Sequence, residues 1–190
     1  SIRLIKSLGI KKVIINTFYL GNKLENFLNE KKFQIDIEII NDGELILNTG
    51  GGILNMINSS TESDFLILNP DTLWNKNYLN YTHPMEKFYF SKKIKNILLL
   101  VNKELSFDKK LKGDFKLIEN KINKNKKNNF IYTGCQIINK SLFDLYKVNN
   151  FSITEIWNTL LIKNELYGYE SNENFYHVTN LDVYKKLLEN

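Results

Sequence analysis

Residues 9–40 read GIKKVIINTFYLGNKLENFLNEKKFQIDIEII. Val13 to Phe18 is rich in β-branched and aromatic residues, and Leu20 to Leu28 sets Leu24, Phe27 and Leu28 on one helical face. Ile35 to Ile40 then alternates as a half-buried strand does. Strand, helix, strand is a βαβ unit. Upstream, Ile2, Leu4, Ile5 and Leu8 are spaced mostly as on a helix, and Gly9 supplies the left-handed position that commonly ends one. Downstream, the pattern predicts a short strand at Leu45-Ile46-Leu47, a loop at Asn48-Thr49-Gly50-Gly51-Gly52 and a helical segment at Ile53 to Ile57. Phe65 to Leu68, continuous in apolar residues, reads as a buried central parallel strand that ends in Asn69-Pro70-Asp71. There follow a helix around Met85 to Lys95, a strand at Ile97 to Val101 and a hairpin-like pair at Phe115 to Ile122 and Phe130 to Ile138. A helix at Thr154 to Asn164, a strand near Phe175 to Val178 and a last helix from Leu181 complete the reading.

Strands that alternate with helices predict an α/β fold with a mostly parallel sheet covered on both faces, and such sheets bind ligands beyond the carboxyl ends of their strands. The segments 48–52 and 69–71 both follow strands, where a site belongs.

Composition narrows the class. The chain has 190 residues, 43% hydrophobic and 13% aromatic, which suits one domain over residues 1–190 with a sizeable core. The longest aliphatic run, Ile97 to Val101, falls far short of the roughly 20 residues that span a bilayer, and no signal-peptide pattern opens the chain. No membrane partner is expected, and a cytoplasmic location is the default. Cys135 is the one cysteine, which rules out an intramolecular disulfide, and with two histidines it cannot complete a tetrahedral zinc site without carboxylates. The net charge of +5 accompanies abundant Lys and Asn and no alanine, so it reads as compositional bias rather than as the mark of an anionic partner. The densest basic stretch, Lys121 to Lys127, is interleaved with Asn and not with aromatics that stack on bases. A solvated hairpin or loop is expected there, and no nucleic-acid partner.

Several residues carry candidate chemistry. Three consecutive glycines at 50–52 leave the backbone open to close approach, and a following helix adds its positive end, so a base, ribose or phosphate has room there; a plain strand-to-helix turn explains them equally. Asp71 follows a buried strand, where its carboxylate needs water, a donor or a cation, and Mg2+ bridging it to substrate phosphates meets that need. As a turn aspartate it needs no ligand at all, and Asn69 is ambiguous in the same way. Gly113-Asp114 and Thr133-Gly134 set glycines beside small polar groups, as sugar hydroxyls require and as ordinary turns also do. His177, between Tyr176 and Val178, reads as a phosphate donor, a metal ligand or a satisfied core histidine. Trp74 and Trp157 read as packing residues.

Taken in order, these segments resemble the sugar nucleotidyltransferase superfamily, with most likeness to bacterial N-acetylmuramate-1-phosphate uridylyltransferases and mannose-1-phosphate guanylyltransferase-like proteins. The likeness runs from Ser1 to Asn190. It rests on Gly9-Ile10-Lys11-Lys12-Val13-Ile14-Ile15-Asn16, on Asn48-Thr49-Gly50-Gly51-Gly52-Ile53, on Phe65-Leu66-Ile67-Leu68-Asn69-Pro70-Asp71 and on Gly113-Asp114-Phe115. The resemblance implies a three-layer α/β/α Rossmann-like fold and transfer of a nucleoside monophosphate from a nucleoside triphosphate to a sugar 1-phosphate, in cell-envelope or peptidoglycan-recycling sugar metabolism. It further implies that Asn48, Thr49, Gly50, Gly51, Gly52 and Asn69 contact the nucleotide, that Gly113, Asp114, Gly134 and Glu155 line the sugar pocket, and that Asp71 and His177 meet Mg2+.

Departures from the family pattern accompany the likeness. Pro70-Asp71 stands where the family has Gly-Asp, and His177 where it has an aspartate, although Mg2+ prefers oxygen ligands. The family also begins with a strand and a Gly-x-Gly-x-Arg loop that grips the triphosphate, followed by Lys-Pro-Leu, a piece of roughly 25 to 35 residues not present in these 190. On that reading the 190 residues bind ligands weakly and turn over little, while their parent is the enzyme. Three other classes are consistent with parts of the sequence: a nucleotide- or sugar-binding regulatory domain of the same fold without turnover, a nucleic-acid-binding module, motivated only by the charge of +5, and a glycosyltransferase, which usually carries an Asp-x-Asp metal motif not seen at Asp71.

Overall fold

The computed structural model describes residues 1–124 and 127–189. In chain order its elements are α1 (Ile2–Ser7), β1 (Lys12–Thr17), α2 (Gly21–Lys31), β2 (Asp36–Asn41), α3 (Asn48–Asn58), β3 (Asp64–Leu68), α4 (Leu79–Lys92), β4 (Asn96–Asn102), β5 (Lys116–Ile118), β6 (Lys121–Asn123), β7 (Phe130–Asn139), α5 (Thr154–Ile162), β8 (Tyr167–Ser171) and α6 (Leu181–Leu188). The described residues fall into two compact units, one of residues 2–65 and 139–159 and one of residues 66–124, 127–138 and 160–189 with Ser1.

The first, a βαβ unit, pairs β1 with β2 in parallel, Val13 opposite Ile37 and Ile15 opposite Ile39. Leu4, Val13 and Leu28 are buried here with Ile53, Leu54 and Ile57 of α3 and with Phe143, Phe151 and Ile153. The short strand expected at Leu45-Ile46-Leu47 does not form. Gly43 has a φ of +85°, Leu45 and Ile46 lie exposed, and Leu47 turns inward to start α3.

The second, a β-rich unit, is built on a six-stranded sheet ordered β3-β7-β4-β8-β6-β5. This sheet is mixed, not mostly parallel as the alternation predicted. Strands β4 and β8 run parallel, but β4–β7, β8–β6 and β6–β5 are antiparallel. The cause lies in the connections: among the described residues no α-helix intervenes between β4 and β7, and antiparallel strands need no long crossover. The most buried strand is β4, whose Ile97 to Val101 are all 0% exposed, whereas Phe65 to Leu68 are only half-buried because β3 is the edge strand.

Three further corrections belong to this unit. Helix α4 begins at Leu79 rather than near Met85 and runs through Pro84. Pro84 removes one backbone donor, but Tyr78, Thr82, Met85 and Tyr89 form a buried face at helical spacing that holds the turn in place. The expected strand 115–122 is broken by Glu119 and Asn120, both at positive φ, into the β5–β6 hairpin; such two-residue turns match the twist of hairpin strands. Lys121 to Asn123 of the basic stretch form β6, while Asn125 and Lys126 lie outside the described residues. The strand expected near Phe175 to Val178 is a pair of isolated bridges, Ser106–Phe175 and Thr72–His177. No helix among the described residues is long and apolar enough to cross a membrane.

Candidate functional site

Edge strand β3 delivers Asn69, Pro70 and Asp71 at its carboxyl end, and a bulge in β7 meets them. Register between β4 and β7 shifts between Leu98 and Leu100, so that Leu98 faces Gln136 and Leu100 faces Tyr132. The extra residues are centred on Gly134, with a φ of +88°, which only glycine adopts readily. A methyl group there would stand 2.7 Å from Asn69 Cβ. Bulge and loop are stitched together: Asn69 N–H donates to Gly134 O at 2.8 Å, the Thr72 hydroxyl to Thr133 O at 2.8 Å, and Trp74 Nε1–H to Asn69 O at 2.8 Å. Asn69 and Gly134, 65 positions apart, are thus neighbours. Cys135 beside them is fully buried, and burial pushes its thiol pKa up, so it is an inert packing residue.

On the other side of Asp71 runs the segment 175–178. Val178 N–H donates to Asp71 O at 2.8 Å and Leu73 N–H to Tyr176 O at 2.9 Å. That pairing sets His177 Nε2 3.2 Å from Asp71 Oδ2, with the Phe175 ring stacked on the imidazole at 5.6 Å between centroids. The hydrogen bond from His177 holds the Asp71 carboxyl below its ordinary range, against the opposing effect of burial. Asp71 is therefore an anion held in place, and with 46% of its side chain exposed it still presents acceptor positions to a ligand. A hard cation that takes the rest of its coordination from phosphates and water fits this carboxylate. A cage made only of protein does not, since no group of three potential metal-ligating side chains exists among the described residues.

Gly113 and Asp114 lie against the start of β7 in the same unit. A Cβ at Gly113 would stand 2.3 Å from Asn128 O, so the glycine permits close packing of two backbones. Asp114 accepts the Tyr132 N–H at Oδ2, 3.0 Å, and desolvation of that carboxyl tip raises its pKa although the residue as a whole is exposed.

In the βαβ unit, residues 48–52 are not the expected loop but the opening turns of α3. Asn48 takes a φ of +59°, and its Oδ1 accepts the Thr49 N–H at 2.7 Å. Phe151 O accepts the N–H groups of both Gly50 and Gly51, at 2.9 and 3.2 Å. These donors are therefore spent within the protein. So is the space left by the missing side chains, because added Cβ atoms would meet the Phe151 ring at 2.4 Å, Asn149 O at 1.9 Å and Asn16 Nδ2 at 2.8 Å respectively. What the turn offers outward is Asn48 and Thr49, both exposed. The Thr49 Oγ1 accepts the Ile153 N–H at 3.0 Å, which ties this turn to the segment leading into α5, where Glu155 is exposed in the first turn.

A polar group in this unit escaped the sequence reading. Asp42, past the carboxyl end of β2, accepts from Asn16 Nδ2 at 2.6 Å and from Asn55 Nδ2 at 2.9 Å, joining both parallel strands to α3. Its only sequence signal is the Asp42-Gly43 pair after a strand.

No family model matches the chain. Among solved structures it is similar to HddC from Yersinia pseudotuberculosis, with a TM-score of 0.74 and 18% identity over 99% of this chain and 83% of that one. It is similar to the inositol-1-phosphate CTP transferase from T. maritima, with a TM-score of 0.73 and 13% identity over 99% and 82%. A UDP-glucose pyrophosphorylase in complex with UDP-glucose matches with a TM-score of 0.72 and 16% identity over 97% and 82%. The chain shares the α/β fold of these structures.

Proposed function

We propose that this chain belongs to a sugar-1-phosphate nucleotidyltransferase. The observation that carries the reading is Asp71: an anchored, half-open carboxylate at the carboxyl end of β3, beside the Gly134 bulge, in the fold of solved nucleotidyltransferases. In the proposed reaction a phosphate oxygen of the sugar 1-phosphate bonds to the α-phosphorus of a nucleoside triphosphate as the bond from that phosphorus to the β-phosphate breaks, and pyrophosphate leaves. No covalent enzyme intermediate is needed, so the work falls to alignment and charge. Asp71 would hold Mg2+, which neutralises phosphate charge when bound. Asn48 and Thr49 would contact the nucleoside, with Gly50, Gly51 and Gly52 letting α3 pack closely enough to present them. Within the β-rich unit, Asn69 would contact the nucleotide, while Gly134, Gly113 and Asp114 would meet the sugar. The similar structures include a CTP transferase, a complex of HddC with GMP-PN and a UDP-glucose pyrophosphorylase in complex with UDP-glucose, which supports substrates of this class.

The test is release of pyrophosphate by the full-length protein, given Mg2+ and a panel of nucleoside triphosphates and sugar 1-phosphates. Turnover is expected with one pairing, and Asp71→Asn is expected to lower it by at least a hundredfold, as loss of a principal electrostatic group does, with an unchanged melting curve. Nucleotide binding without turnover across the panel would favour a binding domain of the same fold.

A further inference from the structure

His177 has two nitrogens in unlike surroundings. Nε2 faces Asp71 Oδ2 at 3.2 Å, while Nδ1 is buried with no hydrogen-bond partner among the described residues. A neutral imidazole carries one proton. On Nε2 that proton meets a carboxylate oxygen; on Nδ1 it would be a buried donor with nothing to accept it, and the Nε2 lone pair would face the Asp71 carboxylate. Ligation of a cation through Nε2 demands this second arrangement, because the lone pair must then be on Nε2 and the proton on Nδ1. Ligating histidines almost always give their other N–H to a carboxylate, a carbonyl or water, and no protein carboxylate or carbonyl among the described residues accepts from Nδ1. The backbone bonds on either side of the pair, Val178 N–H to Asp71 O and Leu73 N–H to Tyr176 O, fix the two main chains that set Nε2 toward Asp71.

We infer that His177 is a positioning residue and not a metal ligand: its Nε2–H holds Oδ2 of Asp71 and so fixes the orientation in which the carboxylate meets a cation. The inference rests on the reading of Asp71 as the carboxylate that holds the cation.

The test titrates the full-length protein with Mg2+ alone and with Zn2+ alone, for which imidazole is a preferred ligand. Affinity is followed by calorimetry and the His177 ring by its 15N resonances. His177→Ala should weaken Mg2+ binding roughly tenfold or more, as loss of an outer partner does, and His177→Gln, whose amide N–H reaches the same oxygen, should bind within about twofold of the wild type. In the wild type Nε2 should keep its proton when Zn2+ is added. Loss of that proton to Zn2+, or a Gln variant as weak as the Ala variant, overturns the inference and leaves Asp71 as the cation's carboxylate. Wild-type affinity for both metals in Asp71→Asn overturns both readings.

Discussion

Asp114 shows how a single carboxylate can be placed against stability. Its Oδ2 accepts the Tyr132 N–H, and desolvation raises its pKa above the ordinary carboxylate range. A group whose pKa is higher folded than unfolded adds stability when protonated and loses it as pH rises through the folded value. At about pH 7 the ionised Asp114 is therefore a cost, which shrinks as the pH falls through the raised folded value and is gone below the unfolded value of about 4. Asp114→Asn keeps an oxygen for Tyr132 and should be more stable than the wild type near neutrality by urea unfolding, with the difference shrinking on acidification. If Asp114 meets the sugar as proposed, the same variant should raise the KM for sugar 1-phosphate about tenfold, the size of one hydrogen bond to a charged group. A variant destabilised at neutral pH would contradict the account of this residue.

At the scale of the element, α3 decides what its glycines are for. Glycine inside a helix is about 1 kcal/mol worse than alanine, so local propensity says that Gly51→Ala should stabilise α3. Packing says the opposite. A Cβ at Gly51 would stand 1.9 Å from Asn149 O, and the Gly51 N–H already donates to Phe151 O. The alanine has to push two backbones apart, which costs about 1–3 kcal/mol, and it also loosens the turn that presents Asn48 and Thr49. Thermal and urea unfolding of Gly51→Ala should show that loss; a gain would mean that the glycines serve a ligand rather than the helix contact. The reading of 48–52 as a loop followed from glycine being a helix breaker, whereas the contact that outweighs propensity comes from Phe151, a hundred residues away. Strand β8 was hidden in the same manner. Gly168 weakens Tyr167–Ser171 as a strand pattern, yet a Cβ there would stand 2.8 Å from the side chains of both Leu100 and Leu117.

For the whole molecule, the α/β class and the βαβ unit of β1, α2 and β2 were legible because hydrophobic period is a local property and the strands carry it plainly. Sheet order was not, since the place of β3 at an edge and the antiparallel course of β7 are fixed by pairings far apart in sequence. The candidate site divides along the same line. Asn69, Asp71, Gly134 and His177 were each visible as residue types at strand ends, but the 3.2 Å contact of His177 with Asp71 and the seating of Gly134 on Asn69 exist only through the fold. The Asp42 group with Asn16 and Asn55 left almost no trace, because its three members come from β1, from α3 and from the loop after β2.

The measurement that tests the proposed function most directly is the fate of label in the full-length protein with Mg2+ and the productive sugar 1-phosphate. Phosphorus label at the α-position of the nucleoside triphosphate should appear in a sugar nucleotide, and label at the γ-position in pyrophosphate, in equal amounts and without inorganic phosphate. Label at the γ-position recovered in the sugar or as inorganic phosphate would contradict nucleotidyl transfer.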